Sequence, residues 1–224
     1  MTSPLKVRVK ICCINSIEEA ALAIEYGASA LGFVSAMPSG PGVIDEVLIA
    51  EIARRIPPPV ATFLLTSAQD TDLIVEQQRR AGVNTIQIVD RVERGTHEEL
   101  RRRMPGVRLV QVIHVGGPEA IDDALSVEGS VDAVLLDSGN PNLAVKELGG
   151  TGRVHDWSLS RRICEIVKVP AFLAGGLKAE NVREAVKSVH PFAVDVCSGV
   201  RTDGKLDADK LRRFFEAIGF YDSD

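Results

Sequence analysis

Cys12 ends one short apolar run and Asp137 ends another, and two later runs lead straight into glycine-bearing turns. These are Ala171–Ala174 into Gly175-Gly176, and Ala193–Cys197 into Ser198-Gly199. A thiol works as a base only when deprotonated, and a carboxyl works as an acid only when it keeps its proton. Placed across one pocket, Cys12 and Asp137 make a base and acid pair; taken singly, each reads equally well as a small buried residue or a helix cap. Glycines after a strand let backbone N–H groups crowd around an anion, and a following helix N-terminus adds its dipole. The same glycines are also what two ordinary tight turns require. Lys10 lies two residues before Cys12, on the same side of an alternating strand, where it could hold a carboxylate or a thiolate. A strand lysine whose ammonium simply reaches solvent fits the same position.

The elements that must carry these groups follow from periodicity. Apolar runs of about five residues alternate with amphipathic stretches of about ten, the pattern of repeated βα units. Strands are predicted at Val7–Cys12, Ala30–Val34, Val60–Leu65, Thr85–Val89, Arg108–His114, Ala133–Asp137, Ala171–Ala174 and Ala193–Cys197. Helices are predicted at Ile17–Tyr26, Val43–Ile56, Thr71–Ala81, Glu98–Arg103, Pro118–Leu125, Leu159–Lys168, Ala179–Lys187 and Ala208–Ile218. Eight consecutive units with short connections favour a single (β/α)8 TIM barrel over residues 1–224, an α/β fold, rather than an open sheet. In such a barrel the reacting groups sit at the C-terminal ends of the strands, and the turns after strands 7 and 8 bind phosphate. The stretch Ser138–Asp156 is the longest irregular segment and holds Gly149-Gly150-Thr151-Gly152, a loop able to close over a ligand.

A net charge of −5 argues against general binding to nucleic acid or an anionic membrane, leaving a local basic pocket for an acidic ligand. No apolar run reaches membrane-spanning length and the first residues lack a signal-peptide core, so a cytoplasmic protein is expected. Cys12, Cys13, Cys164 and Cys197 then read as thiols, in poor spacing for a metal. His114 closes its strand at the active face, where it could touch ligand or order a loop. Trp157 is expected to pack the loop after strand 6 against the barrel. Oligomeric state is not legible.

Lys10-Ile11-Cys12-Cys13-Ile14 resembles the K-I-C-G-I opening of the phosphoribosylanthranilate isomerases of tryptophan biosynthesis. Further similar segments follow in order: Ala30–Val34, Gln87, Leu135–Asp137, Gly149–Gly152 with Asp156-Trp157, Leu173–Leu177 with Glu180–Val182, and Asp195–Val200. The resemblance covers nearly the whole chain. It implies an Amadori rearrangement of a small phosphorylated aminoaldose, with no metal or organic cofactor. It further implies Asp137 as general acid, Cys12 as the base, and a phosphate held by Gly175, Gly176, Ser198 and Gly199. Gly150, Thr151 and Gly152 would lie beside the phosphate, and Asp195 would hold the ribose. Lys10 and Gln87 would complete the substrate-binding set.

Three positions depart from the family pattern. Gly40-Pro41-Gly42 stands where the family has S-P-R, whose arginine grips the anthranilate carboxylate. Gln87-Ile88-Val89-Asp90 stands for Q-L-H-G, and Cys13 replaces a glycine. Three readings follow: an isomerase whose carboxylate grip comes from Arg91, Arg94 or Arg153, an isomerase of a different phosphorylated aminoaldose, or a non-catalytic phosphosugar-binding barrel. A solvated surface is the plain reading of those three arginines.

Overall fold

A computed structural model describes residues 7–139, 146, 148, 152 and 154–219. Eight parallel strands close in sequence order: β1 (Arg8–Ile11), β2 (Ala30–Val34), β3 (Ala61–Thr66), β4 (Thr85–Ile88), β5 (Arg108–His114), β6 (Ala133–Asp137), β7 (Ala171–Leu173) and β8 (Ala193–Val196). The helices between and after them are α1 (Ile17–Glu25), α2 (Glu46–Ala53), α3 (Thr71–Ala81), α4 (His97–Arg103), α5 (Glu119–Val127), α6 (Trp157–Ile166), α7 (Val182–Val189) and α8 (Ala208–Ala217). A 3-10 turn at Ser198–Val200 leads into a small hairpin, β9 (Arg201–Thr202) with β10 (Lys205–Leu206). Among the described residues no helix is long and apolar enough to cross a membrane.

The strands are buried on both faces, so each contributes to two cores. On β5, Leu109 and Ile113 join the layer between strands and helices, while Val110 and Val112 point into the barrel. Inside, Phe63 and Phe172 meet edge-to-face at 5.9 Å, filling the barrel with side chains. A plugged interior confines any ligand to the mouth.

Helix starts track their caps. Ser16 caps α1 by accepting from the Glu19 amide at 3.1 Å, while Glu19 accepts from the amide of Asn15, one residue before the cap, at 3.3 Å. α2 starts three residues later than periodicity predicts, because Asp45 caps the Leu48 amide. α6 starts two residues earlier than predicted, capped by Asp156, so Trp157 is its first residue and packs on the outer core. α7 starts later: the Asn181 side chain takes the Lys178 amide and donates to the Gly176 carbonyl, holding 178–181 as a turn over the β7 exit.

His155 precedes α6, with Nε2 on Ser160 Oγ at 2.6 Å and Nδ1 buried without a partner. Burial pushes its pKa down to about 4, against the rising effect of Asp156. The folded chain therefore holds His155 neutral, whereas the unfolded chain protonates it near pH 6.5. Its contribution is complete above pH 6.5 and is lost as pH falls from there towards 4, amounting to about 3 kcal/mol. Urea denaturation should show that the loss of stability between pH 7 and 4 shrinks by that amount in His155→Gln.

Candidate active site

In parallel strands, residues paired in register point the same way, so the register of the seam between β1 and β8 decides the first contact. Lys10 is level with Asp195, and the two form an ion pair at 2.9 Å, with Lys10 wholly shielded from solvent. The ammonium does not escape at the barrel end. It lies 5.3 Å from the Phe63 ring centroid and above Gly32, where a Cβ would come within 2.9 Å of Nζ and 3.1 Å of Cys12 Sγ. A side chain at Gly32 would thus displace both groups. Burial works against the Lys10 charge, but the carboxylate of Asp195 and the neighbouring Cys12 outweigh it and hold the lysine protonated well above its usual range.

Cys12 follows β1 and remains tied to β8 through its amide on the Val196 carbonyl at 2.8 Å. It is 6% exposed and lines a cavity at the barrel mouth. Asp137, at the end of β6, lines the same cavity, as do Gln87, Gly152, Gly175, Gly176, Asp195 and Ser198. Lys10 backs this wall through Asp195. Gly199 borders an adjoining cavity of about 450 Å³, which shares Gly152, Gly176 and Ser198 and adds Lys178, Lys210 and Arg213. The acidic chain thus concentrates cations around the turns after β7 and β8. Gly150 and Thr151 lie outside the described residues, as does Arg153.

Among the described residues, two buried acceptors in this cavity lack protein partners: Gln87 Oε1 and the Asp195 oxygen not engaged by Lys10. Leaving such groups unsatisfied costs about 1–3 kcal/mol each, and a ligand hydroxyl or amine removes that cost. Burial raises the Asp137 pKa, opposed by its bond from the Ser138 amide and by His114 beside it. The carboxyl therefore keeps its proton to a higher pH than an exposed aspartate. His114 itself donates from Nε2 to the Val89 carbonyl at 2.9 Å and faces a neighbouring cavity, not the one lined by Cys12.

The turns after β7 and β8 are built for close approach. Gly175 and Gly176 both have positive φ, 83° and 62°. At Gly199 a Cβ would sit 1.9 Å from the Leu177 carbonyl oxygen, so no side chain fits without moving one turn off the other.

The side of the mouth after β2 is arranged differently. Gly42 has φ +80°, and a Cβ there would lie 2.5 Å from Cys13 Cβ. Cys13 fills the space beside Gly42, so the two departures from the family pattern fit each other sterically. Installing Gly42→Arg alone should therefore destabilise the fold by about 2–4 kcal/mol, from backbone strain plus overpacking. In thermal melts, adding Cys13→Gly should recover the overpacking part only. Of the arginines named above, Arg94 is turned outward, 77% exposed and paired with Asp70, and Arg91 borders the neighbouring cavity. Lys146 instead brings a cation to this rim, paired with the buried Asp90 at 2.5 Å while its carbonyl accepts from Ser39. Leu148 from the same segment lines the Cys12 cavity. Neither residue carries a sequence signal, since both lie in an irregular loop.

A second buried ion pair supports the base. Arg201 binds Glu19 through both terminal nitrogens and donates to the carbonyls of Cys12 at 3.3 Å and Cys13 at 2.6 Å. It ties the start of α1, the end of β1 and the strand after β8 into one unit.

A closed parallel barrel with a buried thiol, a proton-retaining carboxyl and a glycine-lined, cation-rimmed recess at its C-terminal mouth defines a (β/α)8 enzyme acting on a small anionic ligand. The sequence matches the family "PRAI: N-(5'phosphoribosyl)anthranilate (PRA) isomerase" over residues 9–217, and the chain belongs to this family of isomerases. It is 36% identical over 227 residues to N-(5'-phosphoribosyl)anthranilate isomerase of Methanosarcina acetivorans, covering 96% of this chain and 94% of that protein. The fold superposes on phosphoribosyl anthranilate isomerase of Thermotoga maritima with TM-score 0.80 and 30% identity, covering 96% of this chain and all of the other. It also matches a phosphoribosyl anthranilate isomerase in complex with reduced 1-(o-carboxyphenylamino)-1-deoxyribulose 5-phosphate, with TM-score 0.78, 29% identity and coverage of 96% and 100%.

Proposed function

We propose that this chain converts N-(5'-phosphoribosyl)anthranilate into 1-(o-carboxyphenylamino)-1-deoxyribulose 5-phosphate, with Asp137 as general acid and Cys12 as general base. The supporting observation is that both groups line one cavity whose floor is the Gly175-Gly176 and Ser198 turns. The phosphate binds the backbone of Gly175, Gly176, Ser198 and Gly199, with Lys178, Lys210 and Arg213 supplying the long-range attraction. Asp137 gives its proton to the furanose ring oxygen, and the C1–O bond breaks as the nitrogen lone pair forms an iminium. Cys12, acting as thiolate beside the Lys10 ammonium, removes the C2 proton. The released electron pair forms the C1–C2 double bond of an enolamine, which tautomerises to the C2 ketone. C1 is reduced and C2 oxidised within one molecule, so the protein supplies proton transfer and positioning only. Asp195 and Gln87 accept ribose hydroxyls at their free oxygens. A phosphorylated substrate does not cross a lipid bilayer, so the enzyme works in the compartment where that substrate is made, which we take to be the cytoplasm.

The test is turnover of fluorescent phosphoribosylanthranilate, followed as decay of its emission. Purified protein should consume it, and consumption should collapse in both Cys12→Ser and Asp137→Asn. Absence of turnover in the unmodified protein, or undiminished turnover in both variants, overturns the reading.

A further inference from the structure

Cys13 and Cys197 have no part in that proton chemistry, yet their sulfurs are 2.7 Å apart and both line the wall of the Cys12 cavity. The contact joins residues 184 apart in sequence, across the β1–β8 seam. Cys13 is held in a left-handed conformation, φ 63°, and its thiol interacts with Cys12 as well as with Cys197. Its carbonyl is fixed by Arg201, and its sulfur also approaches the Pro41 carbonyl at 3.7 Å. Cys197 leads into the Ser198–Val200 turn. Both thiols are free, and among the described residues they belong to no metal-ligating cluster.

We propose that Cys13 and Cys197 form a reversible disulfide on exchange with small-molecule disulfides, a modification site in the wall of the barrel mouth. Cys197 is the attacking sulfur: its side-chain contact with Cys13 lowers its pKa, burial opposes this, and the nearby Arg201 charge lowers it further. Its thiolate attacks one sulfur of RSSR, forming a mixed disulfide and expelling RS⁻. Cys13 passes its proton to that RS⁻, and its sulfur then attacks Cys197, expelling the second RS⁻, which takes the proton Cys197 lost on ionising. Two protein thiols are oxidised and RSSR is reduced to two RSH. The new bond joins the neighbour of Cys12 to the neighbour of Ser198. It therefore fixes the base and the proposed phosphate turn in a single covalent ring, and the loss of turnover that this brings rests on the function proposed above.

The experiment incubates purified protein with oxidised glutathione, blocks the remaining thiols with iodoacetamide, and maps disulfides by mass spectrometry without reduction. The unmodified chain should lose two of its four thiols and yield a Cys13–Cys197 link. Turnover should fall at least tenfold and return on adding dithiothreitol. Cys12→Ser should form the same link, whereas Cys13→Ser should keep its three remaining thiols. Cys164, whose pKa burial pushes up to about 11, should stay unmodified throughout. The proposal is overturned by four surviving thiols, by a link that involves Cys12 or Cys164 instead, or by full turnover in the linked form. If reduced protein turns over no phosphoribosylanthranilate at all, the functional reading fails while the disulfide map still decides the thiol chemistry.

Discussion

Asp137→Asn should lower kcat for phosphoribosylanthranilate by about 10²–10⁴-fold, the usual contribution of one positioned acid or base, while KM changes little. Asparagine keeps the shape of the side chain and its acceptor for the Ser138 amide, and removes only the transferable proton. The proton is available in the native protein because burial raises the carboxyl above its ordinary range. It is retained below that raised pKa and lost as pH climbs through it. The pH profile of kcat should therefore lose one ionisation in Asp137→Asn, leaving the residual rate governed by the remaining group. Stopped-flow fluorescence across a pH series reads both effects. A variant that kept wild-type kcat would remove Asp137 from the reaction.

Lys10→Met should cost both folding and catalysis. Asp195 would be left buried, with the cation that pairs with it gone, in a wall that excludes water. Removing one partner of a buried ion pair costs about 3–5 kcal/mol. At about 2–4 °C per kcal/mol for a domain of this size, Tm should fall by roughly 6–20 °C. The double variant Lys10→Met with Asp195→Leu replaces both charges by apolar groups and should recover much of that stability. It should not recover turnover, because the ammonium next to Cys12 and the free oxygen of Asp195 are both absent. Calorimetry and the fluorescence assay applied to the four members of this cycle separate the two roles. Equal Tm for Lys10→Met and the native chain would mean that the pair carries no net structural burden.

The strand positions were legible because a parallel barrel buries both faces of every strand, which concentrates apolar residues into short runs bounded by glycine, proline and charge. Periodicity placed Lys10 on the side of Cys12, and the register then selected Asp195 as its partner. Helix ends were less legible: Asp45, Asp156 and Asn181 decide where α2, α6 and α7 begin, and a polar side chain reads equally well as a cap or as solvated surface. The β9–β10 hairpin went unread although Asp203-Gly204 is the expected signal, since both residues have positive φ and the strands are only two residues long. The Glu19–Arg201 pair and the Cys13–Cys197 contact had no local signal at all. Each links residues more than 180 apart, and only closure of the ring makes them neighbours. The coupling of Gly42 to Cys13 was equally hidden, because each departure from the family pattern looks independent until the two loops are seen in contact.

Closing the ring between its first and last strands sets an order for assembly. The ammonium of Lys10 and the carboxylate of Glu19 are made early, while Asp195 and Arg201 emerge from the ribosome near the end. A nascent chain interrupted before residue 195 carries both charges without their counter-ions, in an open seven-stranded sheet whose β1 edge lacks the partner strand β8. Such a fragment cannot close its ring, so the thiol of Cys12 acquires its environment only when β8 pairs with β1.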